Sequence, residues 1–348
     1  MLRDRIEARW IDCFERVLRL CRLNAGDEVA ILSETQSRQL NVHLAELALL
    51  RLGVRPFHIC VPTPHQTAPV PVRSTGASQA IQRSRSVLAA LTQAVMIVDC
   101  TLEGLMHALE LPEILKSGAR VLHISNEHPD ALERLVPDEA LAEKVKAAAR
   151  MARQAKRMRV TSAAGTRLDV TLEDASTVGI WGYTDKPGTL SHWPGGLVVC
   201  FPKANSVNGT LVLDIGDINL TFKRYVQERV TLAIENDFVV NIQGQGTDYE
   251  LMRRYLAAWG DPTAYAVSHL GWGMNPRARY EALTMYDHRD TNGTELRAFA
   301  GNFLFSTGAN EFAGRYTQGH FDLPMRGCDV DLDGTLVVKA GVLQDVFG

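Results

Sequence analysis

Apolar side chains near the start of the chain recur at helical spacing. They stand three or four residues apart, at Leu2, Ile6, Trp10, Phe14, Val17 and Cys21. Such a stripe predicts an amphipathic helix. The Asn-Ala-Gly turn at 24–26 ends this helix, because glycine readily adopts the left-handed conformation that closes helices.

Beyond this helix, strand and helix patterns alternate. Apolar runs typical of strands occupy 28–34, 54–62, 95–100 and 119–125, and helical patterns occupy 37–53, 84–94 and 102–118. Alternation at this spacing predicts right-handed crossovers between parallel strands. We therefore expect a Rossmann-like α/β domain with a mostly parallel sheet over residues 1–155.

The pattern changes after a long, charged, alanine-rich helix predicted at 137–159. Strands or hairpins follow at 159–173, 196–202, 209–220, 228–244 and 334–343, with one clear helix at 248–260. Short strands separated by glycine and asparagine are typical of an α+β domain. We expect a β-rich catalytic domain over 156–348, and a cleft between two domains of ordinary size.

Composition and motifs exclude several partners. A formal net charge of -3 makes nucleic acid and anionic membranes unexpected partners. No GxGxxG follows the first strand pattern and no GxxxxGK[ST] occurs, so no nucleotide cofactor is indicated. Six cysteines without a CxxC pair, and the absence of a signal-peptide or membrane-spanning pattern, lead us to expect a cytoplasmic protein.

The segment 61–79 is unusually long for a connection and rich in Pro, Ser and Thr. Long connections of this kind are mobile surface loops or lids over a site. The sequence leaves both interpretations open.

The stretch QGHFDLPMRGCD contains the most suggestive pair of polar residues. In an extended backbone His320 and Asp322 emerge on the same face, while Phe321 points to the other. A second, distant histidine would complete a 2-His-1-carboxylate triad, which leaves positions open on Fe(II). An ordinary hydrogen bond between His320 and Asp322 in a turn fits the same spacing.

Three further histidines are candidates for the site. His269 lies among glycines and a tryptophan, where it is either the second metal ligand or a buried structural group. His192, in LSHWPGG, is a substrate contact or a turn residue. His107 lies in the predicted helix 102–118, as an acid or base facing the cleft or as a helix-surface residue.

Several segments together resemble the 2,5-dihydroxypyridine 5,6-dioxygenases, ring-cleaving enzymes of nicotinate catabolism. They read GYTDKPGTLSHWPGG, GTLVLDIGDI, SHLGWGMNPRARY, AFAGNFLFSTGAN and GHFDLPMRGCDVDLDG. The resemblance covers most of the chain, strongest over 179–342 and weaker before 95. The wider superfamily is similar to metallopeptidases of the aminopeptidase T type.

The resemblance implies a set of roles for these residues. A mononuclear Fe(II) is expected on His269, His320 and Asp322, with no organic cofactor. His107 is expected to be the acid or base near the ring hydroxyl, and the substrate-binding residues are expected to be His192 and Ser306. The expected substrates are dioxygen and a hydroxylated N-heterocycle, the expected product from 2,5-dihydroxypyridine is N-formylmaleamate, and a homo-oligomer is implied.

One position departs from the family pattern. Ile180 stands where a glutamate that hydrogen-bonds the pyridine is expected. Loss of one buried hydrogen bond commonly costs about 1 kcal/mol or more. The ring specificity is therefore open to a related hydroxylated heterocycle.

Two alternatives remain at this point. A metallo-aminopeptidase with two zinc or cobalt ions needs additional bridging carboxylates, and CFPKANSVNGTLVLDIGD offers no glutamate for that role. A ligand-binding protein that kept the fold and lost turnover is the other, and it would bind a heterocycle without metal.

Overall fold

The computed structural model describes residues 5–66, 68 and 78–347. Its helices are α1 Ala8–Leu20, α2 Gln39–Arg51, α3 Arg85–Gln93, α4 Leu111–Lys116, α5 Pro129–Arg134, α6 Glu139–Gln154, α7 Gly246–Ala258, α8 Ala282–Met285 and α9 Thr294–Ala298. Within the described ranges, no helix is long and apolar enough to cross a membrane. Residues 67 and 69–77 of the segment 61–79, expected to be a mobile surface loop or a lid, lie outside the described residues.

The described residues form twenty strands. The first ten are β1 Glu28–Glu34, β2 Arg55–Val61, β3 Met96–Asp99, β4 Arg120–Ile124, β5 Arg157–Ser162, β6 Arg167–Thr171, β7 Ser176–Ile180, β8 Leu190–Trp193, β9 Leu197–Phe201 and β10 Val207–Leu213. The others are β11 Ile218–Asn219, β12 Arg224–Tyr225, β13 Val230–Glu235, β14 Phe238–Gly244, β15 Val267–Gly273, β16 Phe303–Asn310, β17 Arg315–Met325, β18 Cys328–Leu332, β19 Thr335–Lys339 and β20 Val342–Leu343.

The first sheet is parallel and has the order β2-β1-β3-β4-β8. Every residue of β3 and β4 is buried, as expected where helices cover both faces of a parallel sheet. The predicted Rossmann-like arrangement is confirmed. The strand β8 joins this sheet although it lies beyond residue 155, and the division at that residue stays a prediction.

The remaining strands form antiparallel sheets. One has eight strands in the order β14-β13-β10-β6-β5-β18-β19-β20, and another has five in the order β17-β16-β15-β9-β7. Helix α6 packs against the second of these at Gly179, where an added Cβ would lie 3.1 Å from Ala149. The predicted β-rich second half is confirmed, and its five-stranded sheet carries most of the candidate site.

One predicted element is wrong in its first half. The helix expected at 102–118 is confined to α4, and the chain before it is irregular. Gly104 has a φ of +72°, which a right-handed helix does not allow, and Asp99 binds the backbone N–H of Leu105. His107 therefore lies on the irregular connection between β3 and α4, not on a helix.

Candidate metal centre and substrate cavity

Three buried histidines from distant parts of the chain meet in one place. Ring nitrogens of His107, His269 and His320 all lie within 4.8 Å of one another. In the described part of the chain, this is the one group of three or more potential ligand side chains at such distances. The rings of His107 and His269 are nearly parallel, with centroids 6.1 Å apart.

The backbone of the five-stranded sheet orients two of these side chains, those of His269 and His320. His269 lies in the bulge where the pairing of β15 with β16 shifts between Val267 and Leu270. A bulge re-aims a side chain relative to regular pleating. On β17, the hydroxyl of Tyr255 donates to the carbonyl of His320 at 2.7 Å and accepts from its N–H at 3.2 Å, which anchors the strand at that residue.

Asp322 lies beside the cluster, and each of its carboxylate oxygens has a partner. Its Oδ1 is 3.3 Å from Nε2 of His320 and accepts the hydroxyl of Ser306, while its Oδ2 accepts Nε and Nη2 of Arg297 at 2.7 and 2.6 Å. Burial raises the pKa of Asp322, but Arg297 and His320 outweigh it and hold that pKa well below its usual range. The carboxylate is therefore ionised. The HxD geometry is as predicted: both side chains face the site and Phe321 packs in the core.

The chemistry of these donors fits a transition metal. Burial lowers the pKa of both His269 and His320, so each imidazole is neutral, as a metal ligand must be. The Nδ1 atoms of both residues are buried without a hydrogen-bond partner. Buried polar atoms of this kind are costly unless something binds them. Imidazoles with an adjacent carboxylate suit Fe(II) and related divalent ions.

His107 is held by a residue that the sequence did not indicate. Its Nδ1 lies 3.0 and 3.3 Å from the two carboxylate oxygens of Glu311. Burial raises the pKa of Glu311, but the hydrogen bond from His107, the neighbouring imidazoles and a backbone hydrogen bond together outweigh burial and lower it. Because an ionised carboxylate only accepts, His107 donates from Nδ1, and Nε2 is the nitrogen left for chemistry.

A cavity adjoins the histidine cluster. Its polar lining includes His107, His123, His192, His269, His320 and Asp322, and apolar residues such as Ile180 also line it. Burial puts the pKa of His192 well below its usual value, and its Nε2 has no hydrogen-bond partner. A larger surface depression, lined by residues such as Trp259 and Tyr316, reaches the site from outside at His107.

The predicted residues thus converge, with one qualification. The histidines and Asp322 surround a single centre and its cavity. Ser306 instead directs its hydroxyl to Asp322, so its expected contact with substrate stays a prediction. Arg297 and Glu311 were missed because only the folded chain places them next to Asp322 and His107. Fold and donors together define an enzyme with a buried centre suited to a divalent metal.

Comparisons with known proteins identify the family of this chain. The family model described as NicX, 2,5-dihydroxypyridine 5,6-dioxygenase, matches residues 9–345. A curated 2,5-dihydroxypyridine 5,6-dioxygenase of Pseudomonas putida strain KT2440 is 38% identical over 338 residues, covering 96% of this chain and 95% of that protein. The chain therefore belongs to the 2,5-dihydroxypyridine 5,6-dioxygenase family.

Solved structures agree on the fold. The structure of a 2,5-dihydroxypyridine dioxygenase from Pseudomonas putida KT2440 has a TM-score of 0.92 and 37% identity, covering 98% of this chain and 99% of that chain. Wild-type AmpT from Thermus thermophilus has a TM-score of 0.63 and 15% identity, covering 96% of this chain and 98% of that chain. The second likeness shows the fold alone, so it does not favour a peptidase.

Proposed function

We propose that this chain is an Fe(II)-dependent dioxygenase that cleaves the ring of 2,5-dihydroxypyridine or a related hydroxylated N-heterocycle. The observation that carries the proposal is the buried cluster of His107, His269 and His320, with Asp322 beside it and a cavity next to it. Membership of the family supplies the reaction type. With 2,5-dihydroxypyridine the product would be N-formylmaleamate.

The iron is assigned to His269, His320 and Asp322, with His107 left for proton transfer. Support comes from the unpartnered Nδ1 atoms of the first two and from the engagement of His107 by Glu311. Bound Fe(II) supplies the redox chemistry that lets an aromatic ring react with dioxygen. Arg297 and Ser306 hold the carboxylate of Asp322 in place from two directions.

The protein residues supply binding, orientation and proton transfer. His107 can take the proton of the substrate hydroxyl on Nε2, because Glu311 keeps Nδ1 protonated. The unpartnered Nε2 of His192 is available to the substrate on another side of the cavity. Apolar residues such as Ile180, which is 1% exposed, keep water away from the ring.

The proposal also covers the cellular location, the oligomeric state and the domain division. The six cysteines are free thiols, which supports the reducing environment of a cytoplasm. A homo-oligomer and two domains, 1–155 and 156–348, are retained as proposals. Sedimentation of the purified protein and limited proteolysis near residue 155 test them.

Oxygen labelling tests the reaction type. The iron-loaded protein is supplied with 2,5-dihydroxypyridine under ¹⁸O₂, and the product is analysed by mass spectrometry. Two labelled oxygen atoms in an opened ring are expected, allowing for exchange measured in a parallel H₂¹⁸O experiment. An intact ring, or release of an amino acid from a peptide substrate, would support the other functions instead.

A further inference from the structure

Three neighbouring strands of the parallel sheet place a row of polar side chains beside the cavity. In the strand register Asp99 of β3 is opposite His123 of β4, and His123 is opposite His192 of β8. Side chains at matched positions of neighbouring strands point to the same face. The row begins at the fully buried Asp99 and ends at the two histidines, both of which line the cavity.

The ring of His123 is fixed through Nδ1. This atom lies 3.1 Å from the carbonyl oxygen of Asp99 and 3.4 Å from its carboxylate Oδ2. Both oxygens are acceptors, so a neutral His123 donates from Nδ1 and keeps Nε2 as an acceptor. Gly104 packs on the ring so closely that an added Cβ would lie 3.0 Å from it.

Asp99 is in turn held rigidly. Its Oδ1 accepts the N–H and the hydroxyl of Thr101 at 2.9 and 2.6 Å, and its Oδ2 accepts the N–H of Leu105 at 2.9 Å. A carboxylate held by three hydrogen bonds beside Nδ1 of His123 fixes both the orientation and the tautomer of the neighbouring imidazole.

The rest of the cavity lining is mixed in character. Met106, Ile180 and Leu304 contribute apolar atoms, and Glu103, Asn292 and Thr294 contribute polar side chains. On the polar side, the rings of His123 and His192 meet edge to face with centroids 5.1 Å apart. A polar ring edge bound in this cavity needs a partner such as Nε2 of His123, because an unpaired buried polar group is costly.

We propose that His123 is a substrate-binding residue whose Nε2 accepts a hydrogen bond from the ring N–H of the substrate, with Asp99 as its positioning residue. A pyridine with a hydroxyl group next to its nitrogen exchanges with the pyridone form, which carries that N–H. A dihydroxybenzene has no such donor. The inference rests on the proposed function and restricts its substrates to rings with an N–H beside a carbonyl.

Two substitutions at one position separate recognition from packing. His123→Asn keeps an amide near the place of Nδ1, where it can still meet Asp99, but it leaves no atom at the place of Nε2. His123→Gln brings an amide oxygen toward the place of Nε2. The probes are 2,5-dihydroxypyridine and 1,4-dihydroxybenzene, titrated by calorimetry into iron-loaded protein without oxygen, after the iron content of each protein has been matched.

His123→Asn is expected to weaken binding of the pyridine by roughly 10- to 100-fold, as for loss of one buried hydrogen bond. His123→Gln should recover most of that affinity, and the dihydroxybenzene should bind all three proteins alike. If wild type binds the dihydroxybenzene too weakly to measure, the Asn and Gln affinities for the pyridine decide between recognition and packing.

Other results would overturn the inference. Unchanged binding of the pyridine to His123→Asn, or equal weakening of both probes, would show that His123 acts through packing alone. Failure of wild type to bind 2,5-dihydroxypyridine would instead contradict the proposed function. The two failures are therefore distinguishable.

Discussion

Glu311 accepts a hydrogen bond from Nδ1 of His107 at 3.0 Å, across 204 residues of chain. Glu311→Gln keeps the size of the side chain but permits the opposite tautomer of His107, with the proton on Nε2. We expect kcat to fall on the order of 10- to 100-fold, the size of many general-base effects. Steady-state oxygen uptake measures this change.

Iron content and a matched control complete that test. Iron bound per chain should be the same in Glu311→Gln and wild type. Glu143→Gln removes a carboxylate from an exposed pair with Lys146 on α6 and should leave kcat unchanged. An unaltered kcat in Glu311→Gln would mean that His107 does not depend on this carboxylate.

The buried carboxyl group of Asp217 is expected to make the unfolding free energy depend on pH. Burial raises its pKa to about 6, from 3.8 in an unfolded chain. The folded state therefore binds the proton more tightly, and this contribution is complete below pH ~4 and lost as the pH rises through ~6. The loss is on the order of 2 to 3 kcal/mol.

Asp217→Asn remains uncharged at every pH and removes this dependence. Urea unfolding of both proteins between pH 4 and 7 should show the difference in unfolding free energy shifting in favour of the variant as the pH rises. A constant difference across that range would mean that folding does not raise the pKa of Asp217. The comparison cancels the other titrating groups, which both proteins share.

The stability of a helix depends on whether the backbone N–H and C=O groups at its ends have hydrogen-bond partners. Helix α6 begins at Glu139, and the Oδ1 of Asp138 accepts the N–H of Leu141 at 2.8 Å. Asp138→Ala should lower the unfolding free energy by about 1 kcal/mol. Asp138→Asn keeps the cap while losing the charge that faces Arg277, so it should cost less. Equal losses in urea unfolding would assign the effect to the ion pair.

The sequence predicts a secondary-structure element correctly where the local pattern of apolar and polar residues determines it. The strand expected at 28–34 coincides with β1, because a buried apolar run is bounded by turns. The placement of His320 and Asp322 on the same face followed from the two-residue period of a strand. The first half of the helix expected at 102–118 failed because the carboxylate of Asp99 competes for the backbone of Leu105. That hydrogen bond is not visible in the helical spacing of apolar residues.

The arrangement of the whole molecule could be predicted only in part. Alternating segments indicate a parallel sheet, but no local pattern shows that β8 returns to it beside β4. That return brings His192 next to His123 and so builds one wall of the cavity. The ligand set required the family resemblance, since spacing alone left His320 and Asp322 with two interpretations.

Metal removal tests the centre through the stability of the whole chain. A ligand that binds only the folded state stabilises it by mass action, by about 2.7 kcal/mol at 100 times its dissociation constant. Chelation should therefore lower the Tm of the iron-loaded wild type by several degrees. Since His269→Ala removes one of the proposed ligands, the Tm of this variant should respond little to chelator. An equal fall in both proteins would place the stabilising metal elsewhere.

The most direct test of the central claim is oxygen uptake with 2,5-dihydroxypyridine after anaerobic loading with Fe(II), for wild type and for His320→Ala. The account predicts one dioxygen consumed per substrate by wild type, dependent on iron and lost in the variant. Wild type that binds iron but consumes no oxygen would keep the metal centre and contradict the ring assignment. Wild type that binds no iron would contradict the claim itself.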